Sequence, residues 1–344
     1  MPPMKSNALT RWSPLKLSNG KSLRNRVIVP PMASQTADKS GFVTESTLKH
    51  YQRLSEAQVG LVIVEYTFVD PSGRSEDQQL GIQSDLHTPG LRTLAKTIQA
   101  SGALAGIQIT HGGGKTERAL TGGVLVAPSA VAVPVKDRQL EIPDPMSFDD
   151  IEHWRFAFLS AVDRALAAGF DLVEFHSAHG YGLNQWLSPL TNHRVDAYGK
   201  DLQGRMKLLL EIVKAARKKH PQLLISIRIP GQDFIEGGLQ VSDSIALAQA
   251  LEFAGASLIH VSSGIGGWRR PIERSGEGYL VAEASQIQTA VHIPVIGVGG
   301  IETGGYIDQA LQSKKIALAA VGRAILKDPK EWSGNNFNIP TGLS

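Results

Sequence analysis

A (β/α)8 barrel of the TIM type, formed as a single domain over residues 1–344, is the fold class that the sequence predicts. Three observations carry this. Eight short apolar runs recur, stretches of helical period separate them, and no long linker breaks the alternation. Continuous β-branched runs suit strands buried on both faces, as in a parallel sheet. Regular βα alternation repeated eight times favours a closed barrel over an open doubly wound sheet.

The elements follow in order. Residues 17–23, with Asn19-Gly20 at their centre, read as a short N-terminal hairpin ahead of the barrel. The strand runs are residues 27–33, 60–69, 103–111 and 170–176, then 223–230, 257–263, 293–301 and 316–323. Helices are expected over 45–57 behind a Thr44 cap and over 89–100 behind Thr88. A third runs over 149–168, where Ser147 and Asp150 form a variant capping box. The helix at 202–219 ends in Arg217, Lys218 and Lys219, which complement the negative end of its dipole. Helices at 242–254, 281–290 and 303–312 complete the set. Residues 112–146 form a long loop after the third strand, and such a loop at the C-terminal face is expected to cover a site.

Composition narrows the function. Hydrophobic residues make up 42% and charged residues 19%, which suits a globular chain with a sizeable core. The net charge of +3 comes with no long basic block, so nucleic acid is not an expected partner. Cysteine is absent, which excludes disulfides, a thiol nucleophile and cysteine-ligated metal or iron–sulfur centres. No apolar stretch is long enough to span a membrane, and a cytoplasmic enzyme is the expectation.

Barrel chemistry sits at the C-terminal ends of the strands. Those ends supply Pro31-Met32-Ala33, Tyr66, Gln108 with His111, Arg228, and Ser262-Ser263-Gly264. His176, His179 and Tyr181 follow the fourth strand. The last two strands end in Gly297-Val298-Gly299-Gly300 and Gly322-Arg323, the usual place of a barrel phosphate site. The competing reading there is tight turns and a structural ion pair. His176 and His179 form a metal pair, a structural pair or a pair of donors to a developing oxyanion, with Tyr181 as proton source. No third ligand stands nearby in sequence, so no metal is expected. Arg228 requires either an internal partner such as Glu65 or Glu174, or a cofactor anion.

Together these residues resemble the Old Yellow Enzyme family of FMN-dependent ene-reductases, in its branch of small bacterial NADPH dehydrogenases. The resemblance is carried by HSAHGYGLNQWLSPLTNHRVDAYGK (176–200), with LRNRVIVPPMA (23–33), GIQITHGGGK (106–115) and AAVGRAILKDP (319–329) in support. It implies an enzyme that takes hydride from NADPH or NADH and reduces the C=C bond of α,β-unsaturated carbonyl compounds. Pro30, Pro31, Met32 and Ala33 would flank the flavin. Tyr66 and Gln108 would border its pyrimidine, and Arg228 would sit near N1. Gly297, Val298, Gly299, Gly322 and Arg323 would hold the phosphate. His176 and His179 would grip the substrate oxygen, Tyr181 would protonate carbon, and Gln35 would stand at the substrate wall. The partner implied is a small electrophilic alkene. A homo-oligomer is left open, because the C-terminal stretch lacks the arginine and aromatic tail of that branch.

Four positions depart from the family, one of them Gly114, where an arginine is frequent. Ala33 stands where a Cys or Thr usually tunes the flavin, Gln35 replaces an aromatic, and Tyr66 replaces a small residue. A redox titration of the wild type against Ala33→Cys is expected to give two different potentials; identical midpoints refute a tuning role. Competing functions are a flavin-free lyase or isomerase acting on a phosphorylated metabolite, a flavoenzyme for a dienoyl thioester or an amine, and a silent flavin-binding protein.

Overall fold

The computed structural model describes residues 8–136 and 138–337; residues 338–344 of the C-terminal stretch lie outside them. Two short antiparallel strands, β1 (Leu15–Lys16) and β2 (Ser22–Leu23), open the chain around the expected Asn19-Gly20 turn. Gly20 sits at φ +87°, the left-handed backbone this turn requires. Leu17 and Leu23 join the cluster of Leu61, Leu172 and Leu224 at the starts of three barrel strands, so the hairpin seals the barrel floor.

The barrel begins with β3 (Val27–Val29), β4 (Leu61–Phe68) and β5 (Leu104–Thr110). A small parallel pair, β6 (Val126–Ala127) and β7 (Asp144–Pro145), lies within the long loop. The barrel continues through β8 (Leu172–His176), β9 (Leu224–Pro230) and β10 (Leu258–Ser262). It ends with β11 (Val295–Gly297) and β12 (Leu318–Ala320), and β12 returns to β3 with Ala319 opposite Val27. Every neighbouring pair in the ring is parallel, and ring order equals chain order. The open-sheet alternative fails, because it requires two free edges.

Helices cover the barrel: α1 (Glu45–Ser55), α2 (Thr88–Gln99) and α3 (Phe148–Ala167) over the first half. Then come α4 (Gly182–Leu187), α5 (Leu202–Lys219) and α6 (Val241–Phe253). The ring closes with α7 (Val281–Ala290), α8 (Gly304–Gln312), α9 (Arg323–Lys327) and α10 (Pro329–Phe337). Ser147 and Asp150 form the expected reciprocal cap on α3, and Thr44 caps α1 with Thr47. Thr88 is not a cap. A 3₁₀ turn precedes α2, which begins at Thr88 itself with no side-chain cap.

The apolar pattern divides into two layers. Ile28, Ile63, Leu258, Ile296 and Leu318 fill the barrel interior, while Trp154, Phe158 and Phe175 pack between strands and helices. Val133 and Leu140 of the long loop pack on Ile265 beyond β10, so that loop covers part of the C-terminal face. Three strands, β3, β11 and β12, keep only three residues each of their apolar runs. Pro30 and Pro31 have no N–H to extend the β3 ladder, and Gly299 and Gly300 leave β11 at φ +120° and +66°.

Candidate active site

The strand ends enclose a cavity of about 390 Å³ at the C-terminal face, within the range of small-molecule and cofactor sites. Pro30, Pro31, Met32 and Ala33 form one wall as the chain leaves β3. Gly322 faces that wall: a Cβ there would lie 3.3 Å from Met32 Sδ and 3.5 Å from Pro30 Cγ. Tyr66 reaches the cavity from β4, where the register with β5 shifts between Val64 and Thr67. Such an irregularity re-aims side chains.

Glu65, at the same irregularity, is buried and turned away from Arg228. It accepts from Ser34 N at 3.0 Å and contacts the Ser34 and Tyr51 hydroxyls. Burial pushes its pKa up to about 7 against the opposing Ser34 and Tyr51 hydrogen bonds. A raised carboxylate pKa stabilises the fold fully below the unfolded value of 4.5, and this contribution is lost as pH rises through about 7. Denaturant midpoints should therefore fall more steeply from pH 5 to pH 8 in the wild type than in Glu65→Gln, by up to roughly 3 kcal/mol. Parallel slopes would contradict the assignment.

Beneath the cavity lies a polar network centred on Glu174. Glu174 of β8 accepts from Gln108 Nε2 (2.9 Å), Ser226 Oγ (2.8 Å) and His260 Nδ1 (2.9 Å). Burial opposes its ionisation, but His260 and Arg228 outweigh burial and hold its pKa below the ordinary value. Gln108 thus spends its amide N–H on Glu174 and keeps its carbonyl oxygen for other partners. Arg228 of β9 is buried, donates to Ser262 Oγ at 3.2 Å, and has no protein partner at Nε. Burial lowers its pKa to about 10 with Glu174 opposing, so it remains cationic at neutral pH.

His176 ends β8, and His179 lies at φ +61°, a strained position for a non-glycine residue. Gly180 follows at φ +78°, where a Cβ would approach the Ile265 carbonyl oxygen to 2.5 Å. This tight turn brings the two imidazoles together at right angles, ring centres 5.1 Å apart, with Tyr181 4.9 Å from His176. His179 Nε2 lies 2.7 Å from Ser262 Oγ. Because Arg228 already donates to that oxygen, the Ser262 proton is free for His179 Nε2, which leaves Nδ1–H as the ring's donor. His176 Nδ1 is buried without a protein partner. Burial, reinforced by the Arg228 charge, holds both imidazoles well below their ordinary pKa. Both rings are therefore neutral at pH 7.

Tyr181 precedes α4 and faces Tyr66 at 5.2 Å between ring centres. Burial and the charge of Glu76 push its pKa up to about 12, against hydrogen bonds from Tyr66 and Ser75. The phenol therefore holds its proton at neutral pH. Lys115 Nζ lies 4.3 Å from the Tyr181 ring centre and donates to the His179 carbonyl at 2.5 Å. Burial, with Arg138, lowers its pKa to about 8.

Several sequence-predicted residues fall elsewhere. Gly297 and Gly299 do not line the cavity; Val298 and Gly300 do. Gly297 makes room for Ile316, which a Cβ would meet at 2.5 Å, and Gly299 accepts from Tyr279 N. Gly322 and Arg323 line the cavity as expected. Gln35 is exposed and outside the cavity lining; its amide donates to Glu76, which does line the cavity, at 2.8 Å. His111 stacks on Trp154 and bonds Ser72, a packing role. Glu76 and Lys115 both lie on loops, where no periodicity aims a side chain at the site. Among the described residues, no group of three or more His, Asp or Glu is placed to hold a metal ion.

The residues present fit a flavin. A buried cation with an unpartnered Nε, an unpartnered imidazole nitrogen and a free amide oxygen meet an apolar wall, and glycine and arginine line the cavity nearby. A closed parallel barrel with this cavity defines a flavin-dependent barrel oxidoreductase. The chain belongs to the NADH:flavin oxidoreductase / NADH oxidase family, whose pattern matches residues 12–334. It is 38% identical over 311 residues to an NADPH dehydrogenase of Halalkalibacterium halodurans, covering 90% of this chain and 89% of the relative. Morphinone reductase superposes with a TM-score of 0.82 at 25% identity, over 98% of this chain and 92% of its own. A 2-naphthoyl-CoA reductase shares the fold at TM-score 0.87 and 24% identity, over 93% of this chain, which spans about half (51%) of that longer one. The protein is an NAD(P)H-dependent oxidoreductase with FMN as cofactor, and the flavin-free lyase reading falls. No helix among the described residues is long and apolar enough to cross a membrane.

Proposed function

We propose that this enzyme reduces the C=C bond of alkenes conjugated to a carbonyl group. The observation that carries the reading is the pair of buried, neutral imidazoles, His176 and His179, beside a protonated phenol, Tyr181. FMN, when bound, supplies two-electron hydride chemistry between the nicotinamide donor and the acceptor. Pro30 to Ala33 would lie along the flavin, Gln108 and Arg228 at its polar edge, and Gly300, Gly322 and Arg323 at its phosphate end. Tyr66 would border its pyrimidine.

The two imidazole N–H groups converge on the acceptor's carbonyl oxygen, where negative charge grows as hydride reaches the β-carbon. Tyr181 then gives its proton to the α-carbon and regains one from solvent. The balance is one hydride and one proton across the double bond, with the donor oxidised. Gln35 contributes indirectly by holding Glu76 against the Tyr66–Tyr181 pair. An isolated alkene offers no oxygen to the imidazoles. Under anaerobic conditions, cyclohexenone is expected to oxidise NADPH in the presence of the enzyme while cyclohexene does not. Equal inertness of both would defeat the proposal.

A further inference from the structure

A second cavity of about 510 Å³ adjoins the first, and Ser263 lines both. Asp233, after β9, anchors it from within. Its buried carboxylate accepts from Ser188 Oγ (2.7 Å), Leu239 N (2.8 Å) and Ile265 N (2.8 Å), so it is consumed by the scaffold. The remaining charge is mainly positive. Lys136, Arg269, Arg270 and Arg274 line the cavity, with Glu273 as an exposed counterweight. Arg274 is committed to Glu283 at 2.6 Å and lies 5.5 Å over the Phe234 ring, which also lines the cavity. Arg270 stands at the junction. Its guanidinium lies 4.8 Å over the ring of Tyr279, a residue of the catalytic cavity.

We propose that this second cavity is a nucleotide subsite in which Lys136 and Arg270 receive a ribose phosphate monoester, with Phe234 as aromatic wall. The reactive end of the same ligand lies in the catalytic cavity. A dianionic monoester uses the parallel N–H pairs of a guanidinium, which a neutral ribose does not. Lys136 and Arg270 are exposed, and both line one concave space that adjoins the catalytic cavity through Ser263. Two ligands carry this chemistry: a nicotinamide donor phosphorylated at the ribose 2′ position, and an acceptor esterified to a nucleotide phosphorylated at 3′. The inference rests on the two-substrate cycle proposed above only for the presence of a nucleotide. It does not require the acceptor to be an enone.

Calorimetry on the FMN-loaded enzyme with 2′,5′-ADP, 3′,5′-ADP and 5′-AMP tests it without any turnover. At least one bisphosphate is expected to bind about tenfold or more tightly than 5′-AMP. In Arg270→Glu and Lys136→Glu that advantage should vanish, and in Lys136→Glu the bound-flavin spectrum should stay unchanged. A preference for the 2′ isomer assigns the subsite to the donor, and a preference for the 3′ isomer assigns it to the acceptor. Equal binding of all three probes, or an advantage that survives both variants, overturns the proposal. A protein that shows the advantage yet leaves cyclohexenone untouched would sink the alkene reading alone.

Discussion

Replacing Tyr181 with phenylalanine should lower alkene turnover by about 10²-fold or more, the usual contribution of a positioned general acid. The hydroxyl is the only part removed. The ring's contacts with Tyr66, His176 and the Lys115 ammonium can remain, so the cavity keeps its shape. NADPH should still bleach the flavin at close to the wild-type rate, because that half of the cycle transfers no proton to carbon. The loss is thus confined to the oxidative half. Full alkene reduction by Tyr181→Phe would mean that water or another group delivers the proton.

The second large effect concerns the imidazole pair. His176→Ala should cost about 10²–10³-fold in alkene turnover, as removal of an oxyanion donor does. His176→Asn should recover much of this, since an amide N–H can occupy the donor position. Removing both histidines should cost less than the product of the single losses, because the pair acts on one oxygen. Both rings are held neutral by burial and by Arg228. Alkene turnover should therefore show no acid limb near pH 6–7, where a free imidazole titrates. A limb there, lost in His176→Asn, would show that a charged imidazole does the work.

Much of the fold was legible because parallel barrel strands are buried on both faces and so read as unbroken apolar runs. β4 and β9 are buried along their whole length and stand within a residue of where the runs place them. β3, β11 and β12 are three residues each, because the remaining apolar residues leave the ladder to line the cavity or turn. The six residues of α4 are all buried and too short to display a helical period, so that helix was not predicted. Ser147 with Asp150 was readable because capping chemistry is local.

The site divides along the same line. His176, His179 and Tyr181 share one turn, so their proximity follows from sequence spacing. Arg228 and Gln108 were readable as polar residues inside apolar strands. What escaped notice depends on folding at a distance. Glu76 and Lys115 reach Tyr181 from separate loops, and the contact that orients His179 comes from Ser262 at the end of β10, two strands from β8 in the ring. The glycines after β11 show the limit most clearly. GVGG marks a turn, but only packing decides that Gly297 accommodates Ile316 while Gly300 borders the cavity.

In the proposed reaction one cavity delivers hydride to the β-carbon and a Tyr181 proton to the α-carbon of an activated alkene. Isotope placement in the product of cyclohexenone reduction reads both events at once. NADPH deuterated at its transferable position should label only the β-carbon, and deuterated water only the α-carbon, with no air present. NADPH consumption that yields no labelled ketone, or deuterium from the donor at the α-carbon, would contradict the account.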